Sequence, residues 1–155
     1  MKKTIFILML IAILVMAVPA AAKGNEPVGD RISVFPPGTP SEFPAGAPFH
    51  ISQGWLLDPS DGPPGSFDFE LEVDGIPRDE DFALWAVDHS WNPVRLVRSW
   101  LHNFPDGMTG THTFTGHWFA PCQHAVDSLM FPGPCPKPNA KVEVLSNSLT
   151  VTFLP

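Results

Sequence analysis

From Phe67 to Asp74 apolar and acidic side chains alternate without a break. Phe67, Phe69, Leu71 and Val73 fall on one side, and Asp68, Glu70, Glu72 and Asp74 on the other. Period two over eight residues predicts a β-strand with one face in a core and a row of carboxylates outside. Weaker runs of the same kind cover 31–35, 48–57, 82–87, 94–104, 111–119, 140–145 and 149–153. Helical periodicity is scarce after residue 22, and 79–87 is its best candidate for a single turn. About seven strands with turn signals every ten or so residues predict an all-β fold. The expected form is an antiparallel sandwich, with a closed barrel as the alternative. The segment Phe104-Pro105-Asp106-Gly107-Met108-Thr109-Gly110-Thr111 reads as a hairpin loop between two paired strands.

Composition changes this picture at the N-terminus. Lys2 and Lys3 precede an unbroken apolar run of 14 residues, Ile5 to Val18, followed by Pro19 and Ala20-Ala21-Ala22. That order is expected of a cleavable secretory signal over residues 1–22, and the run is short for a membrane span. Residues 23–30 are then expected to be a flexible lead-in, and 31–155 the domain. Removing Lys2 and Lys3 takes the formal charge from −7 to −9. Such an acidic domain is unsuited to nucleic acid, and no stable membrane insertion is expected after cleavage. Proline is frequent, 19 residues against 12 glycines, and marks rigid turns between strands. Export to an oxidising compartment makes a Cys122–Cys135 disulfide the expected state of the two cysteines.

Two stretches carry a resemblance: Pro48-Phe49-His50-Ile51 with Gly54-Trp55, and Asn103 to Gly107 through Thr111-His112-Thr113-Phe114 to Trp118. With the strand layout they resemble small immunoglobulin-like or fibronectin-type sandwiches of prokaryotic secreted and surface proteins. The resemblance implies an immunoglobulin-like sandwich and assigns no functional residue. Cys122 and Cys135 are too close and too late to pin the sheets, and without tyrosine there is no tyrosine corner.

Candidate chemistry is sparse. Of six histidines, His102 and His112 would become cross-strand neighbours in one register of the expected hairpin; the next register pairs His102 with Thr113 instead. The first arrangement would suit a transition metal, with His117 or His124 added. His112 and His117 are five apart and point to opposite faces unless Gly116 forms a bulge. Asp74, Asp79, Glu80 and Asp81 crowd one turn, and calcium is the ion such a loop would take. No other cofactor is implied. Of five tryptophans, Trp55, Trp100 and Trp118 are expected in the core, while Trp91 beside Asn92-Pro93 is the candidate for an exposed ligand platform. Neither Gly-x-Ser-x-Gly nor His-Glu-x-x-His occurs. The expectation is a secreted, periplasmic or cell-surface module without catalysis, meeting a protein or glycan outside the cytoplasm. A carbohydrate-binding module using tryptophan and an extracellular metal binder are the alternatives.

Overall fold

A computed structural model describes residues 26–35, 41–57, 67–89 and 95–155, without the side chains of Trp85 and Asp88. The expected export signal and Trp91 lie outside the described residues. The chain is mostly strand. Nine strands are described: β1 (Asp30–Ile32), β2 (Glu42–Pro44), β3 (Phe49–Leu57), β4 (Asp68–Val73), β5 (Ile76–Arg78), β6 (Phe82–Asp88), β7 (Arg95–Phe104), β8 (Gly110–Pro121) and β9 (Lys141–Leu154). The short helix α1 (Cys122–Asp127) lies between β8 and β9. The strand expected at 82–87 is β6, and the helical turn considered for 79–87 does not form, because pairing with β7 supplies the ladder that a lone turn lacks.

The strands form two sheets, ordered β1-β3-β7-β6 and β2-β9-β8-β4-β5. Long neighbours pair antiparallel, but the short edge strands β1 and β2 run parallel to β3 and β9. The sheets are therefore mixed rather than purely antiparallel.

The expected alternation of β4 is borne out. Phe67, Phe69 and Leu71 are buried, while Asp68, Glu70 and Glu72 lie on the opposite side. One apolar core takes Ile32, Phe49, Ile51, Trp100 and Phe104 from the first sheet. Phe69, Leu71, Phe114, Trp118 and Phe153 join it from the second. Aromatic rings bridge the sheets: Trp55 meets Trp118 edge to face at 5.0 Å, and Trp100 meets Trp118 at 5.3 Å. Each large ring removes more than 150 Å² of surface from water, roughly, so this cluster dominates the burial.

Segment 105–109 is not a hairpin loop. It leaves β7 in the first sheet and enters β8 in the second. Gly107 has a φ of 63°, and a Cβ there would lie 2.6 Å from the Ala47 carbonyl oxygen. The crossover thus passes against the 46–47 backbone, where Gly46 N–H donates to Met108 O at 2.9 Å. Gly116 forms no bulge either. A Cβ there would lie 2.8 Å from the Phe69 ring and 3.0 Å from Phe35, so the glycine admits two aromatic rings. The register shift falls two residues later, between Trp118 and Phe119.

Candidate functional site

Placing β7 and β8 in different sheets separates the two histidines expected to share a metal. His102 lies on the inner face of β7, 1% exposed, with its ring edge-on to Phe69 at 5.8 Å. Neither ring nitrogen has a hydrogen-bond partner. Burial, reinforced by the nearby Arg78 guanidinium, pulls its pKa down to about 4.

His112 sits at the start of β8, where the β4–β5 turn and the crossover meet. Its Nδ1 is 2.7 Å from Asp74 Oδ2, and its Nε2 is 2.9 Å from the Thr109 carbonyl oxygen. A carboxylate and a carbonyl both accept, so the arrangement favours the imidazolium form, in which both ring nitrogens donate. The hydrogen bond to Asp74 holds its pKa above the ordinary histidine value. Asp74 in turn accepts Thr113 N–H at 2.8 Å, and this bond together with His112 lowers its pKa.

The acidic turn does not converge on an ion. Asp74 and Gly75 form a two-residue hairpin turn with φ values of 54° and 77°, which aims Asp74 at β8. Asp81 faces the other way: it accepts Asn103 N–H at 2.5 Å and lies 3.6 Å from Arg78 Nη2. Arg78 also donates to Asn103 O at 2.6 Å and lies over the Phe104 ring at 4.3 Å. Asp79 and Glu80 border the open cleft between these two groups. Among the described residues no group of three or more His, Cys, Asp or Glu side chains is placed to hold a metal. The carboxylate row of β4 is committed to neighbours. Lys141 Nζ meets Asp68 at 2.8 Å and Glu70 at 2.5 Å, while His117 lies between Glu72 and Glu143. His117 and His112 fall on opposite faces of β8, as expected.

Two of the expected core tryptophans, Trp100 and Trp118, are buried, and Trp55 packs against the same core.

A different feature occupies the end of the fold where β8 passes into β9. Cys122 and Cys135 form a disulfide, 13 residues apart. The loop it closes holds α1 and then Leu129, Met130 and Phe131. Beside the loop opens a cleft of about 360 Å³ lined by Trp55, Leu56, Trp118, Met130, Val144 and Leu145, with Gly54. Among the described residues no charged side chain lines it. Leu56 is 42% exposed and Leu145 51%. Among the described residues, β1 pairs with β3 only at 49–51 and β2 with β9 only at 152–154, so neither edge strand reaches the cleft lining.

No protein-family model matches this chain, and no curated protein matches it in sequence. The apolar cleft was missed by sequence reasoning because its wall comes from a loop. Its one local signal was Leu129-Met130-Phe131, an apolar run that belongs to no strand or helix period.

Proposed function

We propose that this chain is an exported, non-catalytic binding module of immunoglobulin-like type whose binding end is the stapled β8–β9 loop and the cleft beside it. The observation that carries the reading is the cleft: a hollow on an otherwise acidic domain, lined among the described residues by apolar side chains and walled by a disulfide-closed loop.

The strand order supports the fold part of this reading. In immunoglobulin domains four strands A, B, E and D form one sheet, and G, F and C form the other, extended by C′ in variable-type domains. With β1 as A and β2 as a second segment of A, the order β1-β3-β7-β6 follows A-B-E-D. The order β9-β8-β4-β5 then follows G-F-C-C′. The Trp55–Trp118 contact joins β3 to β8, the two strands that a disulfide pins in antibody domains. The β8–β9 loop is then the F–G loop, which carries binding residues in variable domains.

A disulfide suits an oxidising compartment, and among the described residues no helix is long and apolar enough to cross a membrane. Asp74 and Asp81 are held by Thr113, His112, Asn103 and Arg78, which favours binding over acid–base catalysis by these two groups.

Mass spectrometry of the protein recovered from an exporting host, together with Nile red fluorescence at low protein concentration, tests the reading. The expected N-terminus is Lys23, and the dye is expected to brighten on wild type and to lose at least tenfold in affinity on Leu145→Glu. A protein that keeps residues 1–22, or a cleft that leaves the dye dark, overturns it.

A further inference from the structure

The two sheets end on four edge strands: β1 and β6 in the first, β2 and β5 in the second. A sheet edge presents unpaired N–H and C=O groups, which proteins blunt by shortness, proline or charge. Three of the four edges are blunted in this way. β1, β2 and β5 are each three residues long, and β2 and β5 contain Pro44 and Pro77. β6 is different. It runs seven residues and pairs with β7 in unbroken register, from Phe82↔Leu101 to Asp88↔Arg95. Among the described residues no strand pairs with its other flank. Phe82 to Val87 holds neither a charge nor a proline. Leu84 is 46% exposed and Val87 52%. Three residues apart, they lie on opposite faces and leave apolar surface above and below the open flank.

We propose that the open flank of β6 is a second binding surface, which takes an extended segment of another protein as an added strand, apolar along its length and carrying lysine or arginine at one end. An extended chain is the occupant whose own N–H and C=O groups match such a flank. Charge decides which extended chain. Asp79 and Glu80 lie just before β6 and border the open cleft at its start. At the far end Asp88 stands in register with Arg95, and residues 90–94 carry no charge in the sequence. The basic end of the segment therefore lies over Asp79 and Glu80 rather than beside Asp88. A second copy is a poor occupant, because the chain is formally −7 and brings acids to acids. The flank lies two strands from β3, which lines the apolar cleft, and its occupancy does not depend on that cleft.

Hydrogen exchange followed by NMR on the exported protein tests the flank. The probes are a synthetic peptide, Lys-Lys-Thr-Val-Thr-Ile-Thr-Val, and its counterpart beginning Glu-Glu. In the protein alone the amides of 82–88 are expected to alternate, slow where they donate to β7 and fast on the open flank. At low salt the lysine peptide is expected to slow the fast set about tenfold, with the effect fading as salt rises, and the glutamate peptide to leave it fast. Replacing the two acids together, Asp79→Asn with Glu80→Gln, is expected to weaken the lysine peptide about fivefold. Leu84→Lys sets a charge on the exposed edge away from the core and is expected to weaken it about tenfold. Amides that are all slow in the protein alone would show the chain covering its own flank. Protection that grows with protein concentration would make a second copy the occupant. Either result overturns the proposal, as does a flank that stays fast under millimolar lysine peptide or a glutamate peptide that binds as tightly.

Discussion

His102 and His112 are ten residues apart, one in each sheet, and the fold gives them opposite protonation states. His102 is buried edge-on to the Phe69 ring and is held neutral, with its pKa pulled down to about 4. His112 stands between a carboxylate and a carbonyl, can donate a hydrogen bond to each, and keeps its charge to a higher pH than an ordinary histidine. The same side chain thus serves as a core ring in one place and a clasp in the other. Desolvation decides the first, and two acceptors at under 3 Å decide the second. The two therefore tilt stability against pH in opposite directions.

The largest expected effect comes from His102. Its folded pKa lies below the unfolded value of 6.5, so the unfolded chain takes up the proton first as pH falls. Stability is complete above 6.5, declines down to about 4 and levels off below. The loss attributable to this one ring is roughly 3 kcal/mol. Urea unfolding at a series of pH values measures it as the difference between wild type and His102→Phe. The variant is expected to match or exceed wild type at neutral pH, because it replaces an unsatisfied polar ring with an apolar one. Parallel curves for the two proteins between 6.5 and 4 would show that His102 is not held neutral.

Arg78→Met asks how much of that state is charge and how much is burial. The arginine loses its bond to Asn103 O, its place over Phe104 and its pairing with Asp81, and the expected cost is about 2 kcal/mol. Burial outranks Arg78 as the cause of the shift, so the His102 resonance is expected to titrate only slightly higher in the variant. A return to 6.5 by NMR would reverse that ranking and make the first histidine a matter of charge after all.

Much of this contrast lay beyond a reading of the sequence, for a definite reason. Strands were legible wherever one face is apolar: Phe67, Phe69 and Leu71 marked β4, and the burial of Trp100 and Trp118 followed from their apolar neighbours. The Cys122–Cys135 pairing was legible from compartment and count. Period two, however, says nothing about which strand lies beside which. The 104–111 segment has the glycines of a hairpin, yet Gly107 is there to pass the 46–47 backbone on the way to the other sheet. Reading it as a hairpin put His102 beside His112 and hid the real partner, Asp74, although both members of that pair had been singled out. The cleft was less legible still. Its lining joins β3, β8, β9 and a loop that are far apart in sequence, and no residue of it was singled out as a binding residue.

The smallest expected effect is the most specific test of the contrast. His112 keeps its proton above the ordinary value, so its contribution is fully present below pH 6.5 and fades as pH rises through the raised folded pKa. Asp74 has a lowered pKa, through the Thr113 N–H first and His112 second, so its contribution is present above 3.8 and is lost as pH falls through the folded value. The clasp is therefore complete between 3.8 and 6.5, the interval in which His102 is already costing stability. Asp74 is the charged group that acts on His112, from the β4–β5 turn, and the ring of Phe153 closes its other side at 6.0 Å. At this solvent-facing rim His112 is worth less than about 1 kcal/mol, so unfolding curves are a blunt probe. Nitrogen-15 spectra are sharper: at pH 6 both ring nitrogens of His112 are expected to carry protons while His102 shows the pattern of a neutral ring. In Asp74→Asn the amide can still accept through its oxygen, but the negative charge is gone, and the His112 titration is expected to move down toward 6.5 with His102 unmoved. If His112 titrates at the same pH with and without the Asp74 charge, the clasp is not what holds its proton, and the opposition between the two histidines reduces to burial alone.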